Sequence, residues 1–195
     1  MNIETLIDYL NMYGYLIIFA LLFLGIVGIP APEESLLFLI GVLIDQHSLE
    51  FLPACSTALL GAFSGMLFAY VMGKYIGSPF IHKYGKYVGI TEERWAKVKN
   101  KYMKNMRKTI IFGFYMPGIR QISPYFAGIN NIPLLDFLLL SFIGTVLWIS
   151  PFILAGYYTA SSIQINPEYV PYLGLIFLLI FLFFILVNFF KKRNV

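Results

Sequence analysis

The sequence predicts an all-α integral membrane protein. Its expected architecture is an inverted repeat of two opposed re-entrant helical hairpins, each followed by a transmembrane helix, plus an interfacial amphipathic helix and a C-terminal transmembrane helix. Three observations predict it. Of 195 residues, 59% are hydrophobic and 12% charged, roughly half the charge of a soluble domain. The charges are segregated along the chain instead of mixed. Two apolar stretches are interrupted by proline and glycine, which a straight spanning helix does not accommodate well.

This composition excludes a soluble enzyme and a disulfide-stapled secreted domain. It also excludes a nucleic-acid-binding module, despite a pI of about 9.1. The single cysteine, Cys55, lies in an apolar run and has no partner for an intramolecular bridge. It reads as a small packed side chain. No cleavable signal peptide is expected, because the N-terminus carries acids where a basic region belongs and no A-x-A site follows.

Orientation follows from the cations. Ten of the fourteen Lys and Arg residues fall between Lys74 and Lys108, and three close the chain as Lys191, Lys192 and Arg193. The remaining one, Arg120, stands alone in an apolar stretch from Thr109 to Phe190. Before Lys74 there are only acids: Glu4, Asp8, Glu33, Glu34, Asp45 and Glu50. By the positive-inside rule, residues 78–108 and the C-terminus are cytoplasmic and the N-terminus is outside.

The elements follow in order. Residues 14–47 are too long for one helix, are broken at Gly28-IPAPEES, and carry outside-type acids on both flanks. A re-entrant hairpin dipping in from outside fits them. Residues 51–77 contain an uncharged run from Phe51 to Gly73 that is long enough to cross about 30 Å of hydrocarbon. In the segment 78–108, Thr91 can cap a helix with Glu92 and Glu93 in its first turn. There Trp95, Val98, Tyr102 and Met106 recur at helical spacing with lysines opposite. That pattern suits an interfacial helix on an anionic cytoplasmic leaflet. Residues 109–131 hold Pro117, Arg120 and Pro124, and read as the second hairpin, entering from the cytoplasm. Residues 132–160 form the second spanning helix, with Asp136 near its interfacial start. Residues 161–195 supply a third spanning helix and the basic tail, so that 1–160 stands as the transport domain. Two full crossings for each broken segment would also preserve parity, but the short arms favour re-entrance.

A Pro-broken hairpin followed by a spanning helix, present twice and facing opposite ways, is the layout of secondary transporters. Ionisable groups inside a membrane cost several kcal/mol or so and mark function by default. Three stand out at the breaks: Glu33, Glu34 and Arg120. If the tips meet, a carboxylate pair faces a guanidinium, whose planar fork suits a phosphate. Paired carboxylates at low dielectric raise at least one pKa, which makes one of them a proton carrier. A purely structural role would have Arg120 pin the tips by pairing with Glu33 or Glu34. Tyr115, Gln121 and Tyr125 are candidates to line the cavity, and Pro30, Pro32, Gly118 and Pro124 to form the breaks. His47 and His82 sit in polar flanks and are too few for metal chemistry, while Lys74 and Glu168 read as membrane-boundary residues. No cofactor, metal or catalytic group is expected, because no nucleophile–base pair or metal cluster accompanies the intramembrane charges.

The residues also carry a resemblance. Pro30-A-P-E-E-S-L-L, Gly65 with Tyr70-V-M-G-K-Y-I-G, Tyr84-G-K-Y, Tyr115-M-P-G-I-R-Q-I-S-P-Y-F-A-G, and Phe137, Gly144 and Trp148 appear in that order. Over about residues 14–160 the chain resembles the DedA membrane-protein family, with its SNARE-associated or VTT domain. The resemblance implies opposed hairpins and lipid movement across the bacterial cytoplasmic membrane. The implied cargo is undecaprenyl phosphate for the cell envelope, or phosphatidylethanolamine in other members. It places the family's acidic position on Glu33 or Glu34 and its P-x-x-R arginine on Arg120, with Pro117 in the same motif. Two features depart from the family. Phe114 stands where many members have a second arginine, and nothing from Tyr9 to Pro32 is charged. The expected function is a lipid translocase, with a proton-coupled small-solute carrier or pH-homeostasis protein as the rival. The expected partners are membrane lipids and protons, and a homo-oligomer is compatible with this.

Overall fold

Apolar runs of this length in lipid must satisfy their backbone internally, which leaves the helix as their natural form. The computed structural model describes residues 3–29, 32–77, 100, 102–116 and 118–163, with side chains from Tyr13 onward. Among them there are helices and turns but no strand, as expected for an all-α protein. Helix α1 spans Ile3–Val27, α2 Glu33–Asp45 and α3 Phe51–Met72, which ends in a π-helical turn at Gly73–Gly77. Helix α4 is Met106–Phe112 and runs into a 3-10 turn at Gly113–Tyr115. Helix α5 is Ile119–Ile129 and α6 is Leu134–Ile163. Two helices, Phe51–Gly77 and Leu134–Ser162, are long and apolar enough to cross a membrane. Asp136 falls in the first turn of α6, at the positive end of its dipole.

Most of the expected interfacial segment, the C-terminal spanning helix with its tail, Pro30 and Pro117 all lie outside the described residues. Tyr102 is described, and it departs from its expected place on a lipid-facing stripe. Its hydroxyl meets Ser123 and its ring lies 5.7 Å from that of Phe126. The chain therefore doubles back between Tyr102 and α5.

The residues divide into two compact units. The first comprises Met1–Ile18, Pro30–Ala58 and Ser150–Val195. Within it α2 buries Glu33, Leu37, Ile40, Gly41 and Ile44, a stripe of helical period. Gly41 makes that stripe a close contact. An added Cβ would lie 2.7 Å from the Tyr157 nitrogen and against the Ile153 carbonyl oxygen. Gly156 faces back onto Phe38 in the same way. Small residues that let helix backbones touch are the usual source of association energy in lipid, where burial of apolar surface contributes little. At the far end of this hairpin the Glu50 N–H donates to the Tyr15 hydroxyl at 3.2 Å, and Leu49 touches Gly14.

The second unit comprises Phe19–Ile29 and Leu59–Ile149. Here the end of α1 packs on α3, with Gly61 against Phe19 and Gly65 against Ile26. Gly144 of α6 receives Phe114. The close contact of the first unit recurs. A Cβ on Gly128 would lie 2.7 Å from the Lys74 nitrogen and against the Tyr70 carbonyl oxygen, while Gly73 faces Tyr125. Phe38 and Gly41 therefore correspond to Tyr125 and Gly128. Likewise Ile153, Gly156 and Tyr157 correspond to Tyr70, Gly73 and Lys74. The packing motif occurs twice, with the second arm of each hairpin seated on the other hairpin's spanning helix.

Candidate functional site at the hairpin breaks

The doubled contact sets a register between the two breaks. The interval from Gly41 to Gly128 also separates Pro30 from Pro117 and Glu33 from Arg120. Both charged residues lie in the first turn of a second arm, α2 and α5 respectively. Both helices start without a side-chain cap, at Pro32 and at Gly118. Gly118 has φ of 84°, a left-handed conformation that glycine adopts without a Cβ penalty. Pro32 is exposed, and Pro124, expected at a break, instead lies buried inside the continuous helix α5.

Arg120 is 5% exposed and Glu33 is fully buried, whereas Glu34 is half-buried. The carboxylates belong to one unit and the guanidinium to the other. Within its own unit, the Arg120 guanidinium lies 4.7 Å above the Trp148 ring. Its NH1 donates to the Phe114 carbonyl at 3.4 Å. The Phe114 and Trp148 rings are themselves stacked at 5.6 Å, and both are buried. A guanidinium this close to a ring face contributes about 0.5–2 kcal/mol. Phe114 O closes the first arm, so the cation also lies at a carbonyl, electronegative helix end.

The three expected cavity-lining residues are placed by backbone chemistry. Gln121 Nε2 donates to Gly25 O at 3.3 Å, and the Tyr125 hydroxyl to Val27 O at 2.7 Å. Both carbonyls belong to the last turn of α1, and Gly25 O also accepts from the Gly28 N–H at 3.2 Å. The Tyr115 hydroxyl donates to Leu147 O. In α6 the donor for that carbonyl would be the N–H of residue 151, which is Pro151 and has none. All three side chains therefore bind carbonyls at a helix end or opposite a proline. Trp148 and Phe114 were not singled out as site residues by spacing. The available signal was a tryptophan in a spanning helix and an aromatic six residues before the lone arginine.

The VTT domain family matches residues 29–158, which include both breaks and both apolar spans. The chain belongs to that family. Among relatives of this VTT-domain protein is the uncharacterized membrane protein YbfM of Bacillus subtilis (strain 168). It is 39% identical over 144 residues, covering 74% of this chain and 89% of YbfM. Protein DedA of Escherichia coli (strain K12) is 27% identical over 172 residues, 85% of this chain and 78% of DedA. Undecaprenyl phosphate transporter A of Staphylococcus aureus (strain NCTC 8325 / PS 47) is 24% identical over 161 residues, 78% of this chain and 77% of the transporter. No solved structure matches at a significant level. This VTT-domain chain is thus a DedA-family membrane protein, and the match covers Arg120, Glu33 and Glu34.

Proposed function

We propose that this protein is a lipid translocase of the bacterial cytoplasmic membrane, carrying undecaprenyl phosphate for cell-envelope synthesis. Arg120 binds the phosphate, and Glu33 and Glu34 gate its release or couple it to protons. The prenyl chain stays in the bilayer throughout. The observation that carries this reading is the burial of Arg120 in an apolar hairpin, stacked on Trp148. A guanidinium held there offers a planar fork of donors for a bidentate oxyanion. The name of the Staphylococcus aureus relative supports the choice of cargo.

In this reading both hairpins are re-entrant. The second arms, α2 with 13 residues and α5 with 11, rise about 20 Å and 17 Å, short of the roughly 30 Å of hydrocarbon, whereas the first arm α1 has 25 residues. Arg120 at one break holds the phosphate, and the glutamates at the other carry the gating or proton-coupling role. The basic segment 78–108 lies on the cytoplasmic side.

The test uses purified protein in proteoliposomes, comparing wild type, Arg120→Ala, Glu33→Gln and Glu34→Gln. Exposure of undecaprenyl phosphate and of labelled phosphatidylethanolamine is followed across the bilayer. Movement of the prenyl phosphate alone, lost in Arg120→Ala and in one glutamate variant, is the expected result. Movement of phosphatidylethanolamine instead keeps the translocase and changes its cargo. If neither lipid moves while wild type dissipates a pH gradient, the protein is an ion-coupled carrier and the lipid reading fails.

A further inference from the structure

The second unit carries cations that the transport reading does not use. Lys104, Arg107 and Lys108 are all exposed, just before the apolar hairpin that begins at Thr109. Among its described residues this unit holds Lys74, Lys104, Arg107, Lys108 and Arg120 against one acid, Asp136. Three of those cations fall within residues 104–108, a stretch without an acid.

The backbone that presents them is fixed on one side. The Asn105 carbonyl accepts from the Thr109 N–H at 2.8 Å and from the Thr109 hydroxyl at 3.0 Å. The Asn105 N–H in turn donates to Tyr102 O at 3.1 Å. The Tyr102 hydroxyl donates to Ser123 O at 2.9 Å and lies 3.1 Å from Ser123 Oγ. Ser123 is buried in α5, three residues beyond Arg120. Residues 102–109 are thus tied to α5 through Tyr102, while their cations stay at the surface.

Charge and setting select the partner. The excess of cations favours an anion. Exposed apolar side chains flank them, Met103 within the stretch and Phe112 and Met116 beyond it. An acidic soluble protein would leave that apolar surface without a matching partner. The boundary of a bilayer accepts both kinds of group, with apolar side chains among acyl chains and Lys and Arg heads among phosphates. Phe112 follows Lys108 by one turn of α4, so both kinds of surface adjoin.

We propose that Lys104, Arg107 and Lys108 form a surface site for the phosphate groups of anionic diacyl lipids, and that the Tyr102–Ser123 contact passes its occupancy to α5. A lipid held there stays in its leaflet and is not cargo. By ordering residues 103–108 it also orders Tyr102, which then opposes local opening of α5. The proposal stands on contacts within the second unit and does not rest on the transport reading.

Native mass spectrometry of the full-length protein, released from nanodiscs of mixed phosphatidylglycerol and phosphatidylcholine, tests the surface. Wild type should retain phosphatidylglycerol in preference. Lys104→Gln, Arg107→Gln and Lys108→Gln should each weaken that retention about threefold to fivefold, and the triple variant about thirtyfold to a hundredfold. The three side chains are exposed, so the variants should fold, and their thermal unfolding is measured alongside. Hydrogen exchange over residues 119–129 tests the link. Adding phosphatidylglycerol to phosphatidylcholine nanodiscs should slow it about threefold in wild type and not in the triple variant. Tyr102→Phe should still retain the lipid but lose the slowing. Equal retention of phosphatidylcholine, or full retention by the triple variant, overturns the site. Loss of retention in Arg120→Ala would place the lipid at the break and overturns it too. Unchanged exchange in wild type, or slowing that survives in Tyr102→Phe, overturns the link to α5.

Discussion

Glu33 and Arg120 occupy the same position in two copies of one motif. Each follows the break proline by three residues, sits in the first turn of a second arm, and precedes a glycine contact by the same spacing. The backbone repeats and the charge inverts. An acid at a helix N-terminus is favoured by the dipole, so the sign of Glu33 suits its place. Arg120 does not, and its guanidinium reaches away to Phe114 O and the Trp148 ring. A buried cation at that position is what a site for an anionic headgroup requires.

That requirement makes Arg120 sensitive to shape as well as charge. Arg120→Lys keeps the charge but loses the planar fork and the stacking on Trp148. It should retain only part of the transport activity, about a tenth or less, while inserting normally. Flux in proteoliposomes alongside detergent thermal unfolding checks this. A lysine variant with wild-type flux would show that charge alone is needed.

The paired glycine contacts should behave alike. Gly41→Ala and Gly128→Ala each drive a Cβ into the facing helix backbone. Backbone cannot rotate away as a side chain can, so each should cost about 1–3 kcal/mol or more. Gly14→Ala, whose Cβ would meet only the Leu49 side chain at an ordinary 3.8 Å, should cost much less. Thermal unfolding of the three variants in one detergent ranks them.

Tyr115 and Pro151 should be coupled. Removing the hydroxyl in Tyr115→Phe leaves Leu147 O without its donor, at about 1–2 kcal/mol. In a Pro151→Ala background the helix regains its own N–H for that carbonyl. The same Tyr115→Phe change should then be nearly neutral. A double-mutant cycle on unfolding free energy measures the coupling, and additive effects would mean that the hydroxyl is dispensable.

Tyr102 gives a pH dependence. Burial pushes its phenol up to about 12, partly opposed by the hydrogen bond with Ser123. A folded pKa above the unfolded value means that the folded state holds the proton more tightly. The resulting stability is complete below pH 10 and is lost as pH rises from about 10 to about 12. Unfolding followed against pH should show wild type losing stability across that window more steeply than Tyr102→Phe.

Much of this was legible in the residues. The apolar runs that became α3 and α6, the breaks at Gly28 and Gly118, and the isolation of Arg120 among apolar neighbours are all local features. Tyr115, Gln121 and Tyr125 were legible only as aromatic or polar side chains near a break. Their hydroxyl and amide groups bind carbonyls distant in sequence, and nothing in their spacing names those partners. Tyr102 was misplaced for a related reason: helical periodicity assigns a face but not the surface that covers it.

By itself, then, the sequence determined that this is a helical membrane protein with two interrupted segments, apolar runs long enough to span, and charge concentrated in the segment 74–108, at the breaks and in the flanks. The cost of placing charge or unsatisfied backbone in hydrocarbon dictates all of that residue by residue. Only the tertiary structure decided that each second arm packs on the other hairpin's spanning helix, which gives Glu33 and Arg120 equivalent positions in two copies of one motif. The physical reason is that in lipid every apolar face is equally acceptable. What selects a partner is how closely two backbones can approach, and Gly41, Gly73, Gly128 and Gly156 reveal that only once the helices are in place.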